Sequence, residues 1–312
     1  MMKNPKTIAA MVAIFFVSFF LFLYLSFPYG VLKEAISTQV QIATGITMRM
    51  DSFGPAFPFG FSASDVEIYK GQSTRVKLKS LSAKLSLLQL FILRFGVSVD
   101  AEDVTGGEID VGLGFSIFDI LTGKIGLPSY VTMSADKFQL DSLADLGIQT
   151  AVANGVGGPI AGQLLAKLGV KGKLNGKFRI DTDSKNFAQS TGDIKINFTD
   201  AVLVLSDPSL NFPDQAFKMA QLNATLVGGT LSVDPATRFT TADLEMGVDG
   251  KVVLRAQTAN SDLNLKAFVR LKGILGDQYG PLIDAFSNGM GKNGSLNLQI
   301  AGTVGAPQMN PI

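Results

Sequence analysis

The residues most often used to bind zinc, attack a substrate or move a proton near neutral pH are missing, because the chain has no His and no Cys. That excludes a thiolate nucleophile, an imidazole base, a Cys/His zinc site, haem ligation and any disulfide. Ser134-Ala135-Asp136-Lys137 has the SxxK spacing of a nucleophile and its base. That pair works on a helix with SDN and KTG companions, which are absent, and the alternation here predicts a strand with Ser134 and Lys137 on opposite faces. Gly289-Met290-Gly291-Lys292-Asn293-Gly294 matches GxGxxG. A dinucleotide site needs a strand before it and a helix after it; here a helix is expected before and a strand after, which makes it a glycine-rich turn. Gly123-Lys124, Gly172-Lys173 and Gly176-Lys177 never continue into Ser or Thr, so there is no P-loop. Asp181-Thr182-Asp183 opens like a calcium loop but then places Lys185 and Asn186 where an oxygen ligand and the sharp-turn glycine belong. Glu102, Asp103, Glu108 and Asp110 flank Gly106-Gly107 and read as solvated hairpin ends rather than a cation site. No catalytic residue, metal or cofactor is expected, and the chain does not read as an enzyme.

The elements that would position any site are strands. Lys173 to Asp181 sets Leu174, Phe178 and Ile180 against Lys173, Asn175, Lys177 and Arg179. Asp193 to Thr199 sets Ile194, Ile196 and Phe198 against charged and polar neighbours, and Asp262 to Lys272 does the same with Leu263, Leu265 and Val269. This period of two describes antiparallel strands with one apolar face. Arg75 to Lys79 alternates and then slips at Ser80, which predicts a β-bulge. Gly106-Gly107, Gly228-Gly229, Asp249-Gly250 and Asn293-Gly294 are turn signals, and the Pro- and Gly-rich run Phe53 to Phe61 reads as a loop. About a dozen strands are expected, with few helices: Leu87 to Arg94, two pieces within Ser142 to Leu168, and Gln278 to Asn288.

Before the strands lies a different signal. Lys3 and Lys6 precede an uncharged run from Thr7 to Leu32, longer than the ~20 residues a helix needs to cross a bilayer. Ser26-Phe27-Pro28-Tyr29 lacks the small-x-small site at which a signal peptide is cut. The expected layout is a cytoplasmic N-terminus at residues 1–7, a transmembrane helix at 8–27, a membrane-proximal amphipathic helix at 28–45 and a β-rich domain at 46–312. The N-terminal lysines put the β-rich domain on the exported side, the periplasm of a Gram-negative host.

Composition bounds the partners. Of 312 residues 46% are hydrophobic, and 27 basic against 26 acidic residues leave a formal charge of +1, with no electrostatic reason to expect nucleic acid. A sheet with one apolar face must cover it. Either it packs on itself, or it curls into a groove for apolar ligand, with candidate lining Phe178, Ile180, Ile194, Ile196, Phe198, Leu263, Leu265 and Val269.

Three stretches carry a resemblance. Ser26-Phe27-Pro28-Tyr29-Gly30-Val31-Leu32-Lys33 resembles the membrane exit of the long form of the type II secretion system protein N family. Gly169-Val-Lys-Gly-Lys-Leu-Asn-Gly-Lys-Phe178 is similar to the glycine-punctuated strands of that family and of AsmA-like envelope proteins. Leu296 to Pro307 resembles the closing strand and turn of AsmA-like proteins. The resemblance implies a mainly β, large, twisted, mostly antiparallel sheet, as an open groove or flattened barrel. It also implies a single-pass bacterial inner-membrane protein. The implied partners are other secretion-system subunits or, alternatively, acyl chains of phospholipid or lipopolysaccharide in a lipid-transfer groove.

Overall fold

Period-two alternation becomes one antiparallel sheet in the computed structural model, which describes residues 14, 15, 18, 22, 26–56, 59–70, 74–86, 93–122, 128–153, 166–182, 187–206, 212–255, 257, 260–286 and 294–312. The first half holds β1 (Thr47–Ala56), β2 (Gly60–Lys70), β3 (Thr74–Ser86), β4 (Arg94–Asp103), β5 (Glu108–Ser116), β6 (Tyr130–Gln139), β7 (Leu168–Asp181) and β8 (Thr191–Leu205). The second holds β9 (Gln215–Ala216), β10 (Met219–Val227), β11 (Thr230–Val233), β12 (Arg238–Thr240), β13 (Leu244–Val253), β14 (Asp262–Leu271), β15 (Ser295–Thr303) and β16 (Ala306–Pro311). Strands pair essentially in chain order from β1 to β16, a meander, with the short β9 and β12 as side branches. β1 and β16 end the path and do not pair with each other.

The predicted bulge is present: the β3–β4 register shifts between Leu78 and Ser80. Comparable shifts occur between Ala135 and Phe138 on β6 and between Lys171 and Lys173 on β7. Asp65, Lys137 and Asp200 have positive φ on β2, β6 and β8, so the irregularities form a line across the sheet. Beyond that line lies the dry core, where Met50, Val66, Val76 and Leu78 cluster with Phe138 and Leu174.

Among the described residues the sheet is decorated by helices α1 (Tyr29–Thr44), α2 (Ile117–Leu121), α3 (Asp141–Ala153) and α4 (Gly273–Phe286). Helix α1 lies within the stretch 28–45 and stops at Gly45 in the left-handed region, whose N–H caps the Gln41 carbonyl. Helix α3 packs on β3 and β7, and α4 on β14 and β15 with Leu275 fully buried.

Several expectations are corrected. Asp249-Gly250 is no turn: β13 runs straight through it, because Asp249 pairs with Lys266 and Gly250 with Leu265 in an unbroken ladder. The reversal lies earlier, between β12 and β13, where the Thr241 hydroxyl takes the Leu244 N–H. Phe53 to Ala56 and Gly60-Phe61 are strand rather than loop, since the β1–β2 ladder continues to Ala56↔Gly60. The helix expected from Gln278 begins at Gly273 and keeps Pro281 inside it. The helix expected at Leu87 to Arg94 lies outside the described residues apart from Leu93 and Arg94, and Arg94 opens β4.

Among the described residues, no helix is long and apolar enough to cross a membrane. The span expected at 8–27 falls mostly outside those residues. Of it, Ile14, Phe15, Ser18, Phe22 and Ser26 are helical, and Ile14, Phe15 and Phe22 are 65%, 64% and 70% exposed.

Candidate functional site: an apolar track across the sheet

The candidate residues sit on β7, β8 and β14, and the register decides which of them meet. Phe178 lies opposite Ile194, Ile180 opposite Gly192, Ile196 opposite Gly176, and Phe198 opposite Leu174. On β14, Leu263 faces Val252 and Gly302, Leu265 faces Gly250 and Ile300, and Val269 faces Met246 and Leu296. All eight are half-buried. They form two groups, separated by β10, β11, β12 and β13.

The intervening strands join them. Starting from Phe61, cross-strand partners run through Ala83, Val99, Val111, Met133, Phe178 and Ile194. The same row continues through Ala224, Val233, Gly250, Leu265, Ile300 and Met309. Every position is apolar or glycine. A parallel row passes through Val131, Ile180, Gly192, Leu226, Leu231, Val252 and Leu263. Met133, Ala224, Val233 and Ile300 were absent from the sequence-derived lining. Their strands alternate legibly, but pairing partners depend on register, which alternation within one strand does not specify.

The track is unevenly filled. Ala224 and Leu226 are buried, whereas Val99, Val111, Met133, Phe178, Ile194, Leu265 and Ile300 remain half-buried. Near Phe198 the face is covered by rings: Phe239 lies 6.0 Å from Phe198 and 6.3 Å from Phe217. Phe198 therefore belongs to an aromatic cluster at the margin of the track.

The opposite face is polar and held by charge pairs, including Lys79–Glu102 at 2.7 Å, Lys84–Asp100 at 2.8 Å and Lys272–Glu245 at 2.7 Å. Ser134 on this face lies opposite Lys177 and Asp110. The bulge leaves both Asp136 and Lys137 exposed between buried Ala135 and Phe138, so strict alternation fails there. The Lys137 N–H binds Asn175 Oδ1 at 2.9 Å, and its side chain has no hydrogen bond to Ser134. Asp181 is clamped by Arg179, at 2.7 Å to Nε and 3.0 Å to Nη2. The remainder of the calcium-like stretch, 183–186, and Gly289, Gly291 and their neighbours through Asn293 lie outside the described residues.

The four hairpin carboxylates are not equivalent solvated ends. Asp103 is 2% exposed. Its Oδ1 accepts the Thr105 N–H and hydroxyl at 2.7 Å and the Gly107 N–H at 3.0 Å, while Oδ2 accepts the Gln139 N–H at 2.6 Å. Burial pushes its pKa up, but these hydrogen bonds together outweigh that and hold it below the usual carboxylate range. Asp110 lies opposite Asp100. Burial and the Asp100 charge raise Asp110, while Lys84 and Ser82 hold Asp100 low against its own burial. Among the described residues no group of three acidic side chains could hold a metal ion.

Comparison with protein-family models, curated proteins and solved structures gives no match to this chain.

Proposed function

We propose that this chain is a non-enzymatic, membrane-anchored module that shelters the acyl chains of phospholipid or lipopolysaccharide against the apolar face of its sheet. In this reading residues 8–27 hold it in a bacterial inner membrane and the sheet, an AsmA-like open groove, stands in the periplasm. The observation that carries it is the register. A single apolar row crosses thirteen successive strands from Phe61 to Met309, and most of it is neither buried in a core nor fully exposed.

The physics suits alkyl chains. Each methylene laid on such a surface gains about 0.8 kcal/mol by leaving water. A headgroup needs no buried partner if it stays at the rim. Twelve inter-strand steps of ~4.8 Å make the row roughly 58 Å long. One leaflet's acyl layer is ~15 Å, half the hydrocarbon thickness of a bilayer. The track is therefore long enough for several lipids in file.

The test exploits the two faces of one strand. A photo-crosslinking amino acid at Ile194, in the full chain in cells, should yield lipid adducts, and one at the neighbouring Lys195 should not. Equal labelling at both, or protein adducts alone at Ile194, would sink the proposal.

A second reading, an accessory component of the type II secretion system, is favoured by α1. Val31 and Ile42 are 67% and 73% exposed, while Leu32, Ile36 and Val40 are half-buried, which leaves an apolar surface for another subunit. That reading expects protein adducts on α1 and none of lipid on β8.

A further inference from the structure

At one end of β3 to β6 the chain carries apolar side chains that no described part of the protein covers. Leu85 is 39% exposed, Leu93 54%, Phe118 60%, Ile120 37% and Leu121 77%. Leu85 lies at the end of β3, and the others come from two neighbouring connections, tied together where the Ile117 N–H donates to the Leu93 carbonyl at 3.1 Å. Helix α2 is only five residues long, and three of them are these exposed apolar side chains. Leu93 is held at φ +55°, an uncommon conformation for a bulky residue.

We infer that this tip is a second membrane contact, in which α2 and Leu93 sink into the interfacial layer of a lipid bilayer. The choice of occupant follows from three features. The surface is a projecting end of strands rather than a groove, so it suits a fluid medium more than a fitted side chain. Its apolar residues are large and aliphatic or aromatic, the set that interfacial segments bury at the boundary of headgroups and acyl chains. Arg94, exposed and next to Leu93, supplies a cation at the level where lipid phosphates lie. The inference rests on the anchor in the proposed function, which keeps a bilayer at hand, and is independent of the acyl track.

It also fixes a posture. The membrane-side end of α1 lies at the same end of the sheet as the tip: the Tyr29 ring is 6.4 Å from that of Phe53, which is 5.2 Å from Phe61, and Phe61 pairs with Ala83, two residues before Leu85. Anchor and tip therefore meet the bilayer at one and the same end of β1–β3.

Because the chain has no Cys, a single introduced thiol labels one place. The full chain carrying Leu121→Cys, modified with an environment-sensitive fluorophore, is reconstituted in vesicles of phosphatidylethanolamine and phosphatidylglycerol. Lys251→Cys on the polar face serves as reference. The expected result is blue-shifted emission at 121, quenched by nitroxide lipids and shielded from aqueous iodide, with position 251 wet. Iodide access equal at 121 and 251 in chains that float with the vesicles overturns the tip and leaves the anchor standing. A blue shift that nitroxide lipids do not quench means a protein contact and also overturns it. Chains that fail to float remove both anchor and tip.

Discussion

The Asp103 carboxylate gathers the N–H groups of Thr105, Gly107 and Gln139 and the Thr105 hydroxyl, and so ties the β4–β5 turn to β6. Truncation would leave three N–H groups without their acceptor at a site that is 2% exposed. Asp103→Ala is expected to cost about 3 kcal/mol or more, read as a drop in the urea midpoint. Because its folded pKa is lowered, this stabilisation is complete above the ordinary carboxylate range and is lost as pH falls through the depressed value. Asp110 has the opposite sign. Its raised folded pKa means that stability is lost as pH rises from the ordinary range through the raised value. Asp110→Asn should therefore stabilise the protein at neutral pH, by a margin that vanishes in acid, as a pH series of thermal midpoints would record. The Gly106-Gly107 turn signal places these carboxylates at a hairpin end. It did not reveal Asp103 as buried, because its partner Gln139 is 36 residues away and arrives only through the β6 register.

The same division holds among the elements. The strands at Lys173 to Asp181, Asp193 to Thr199 and Asp262 to Lys272 are legible because alternation is a local property. The bulge at Ser80 was legible because the apolar parity visibly changes there. The bulge at Asp136-Lys137 was hidden: two polar residues in a row do not show which of them is the extra one. Asp249-Gly250 misled for a related reason, since an Asp-Gly pair marks a turn only when the flanking strands pair with each other. Here β13 pairs with β11 on one side and β14 on the other. Gly172 marks a bulge that resists substitution. It has φ +130°, its N–H binds Asp141 at 3.0 Å, and an added Cβ would lie 2.8 Å from the Ala201 Cα. Gly172→Ala is expected to cost about 2–4 kcal/mol from backbone strain and overlap. Its local signature is faster amide exchange at Leu140, whose N–H binds the Gly172 carbonyl at 2.9 Å.

At the scale of the whole molecule, a property appears that no single strand has. The apolar row is continuous only because twelve separate registers agree, so one polar residue in the middle divides it. Val233 is a suitable place: it sits between Ala224 and Gly250, half-buried, on the four-residue strand β11. Val233→Arg places a cation where an acyl chain would pass, while its long stem allows the guanidinium to reach water, so folding should be spared to within about 1–2 kcal/mol. If lipid enters from the anchored end, photo-crosslinking probes at Phe178 should still capture it in this variant, and probes at Leu265 and Ile300 should lose most of their signal. A chain that merely binds lipid from solution would lose signal only beside position 233, and the two halves of the track would label equally. An unchanged thermal midpoint with signal lost on one side alone would separate directional loading from local damage.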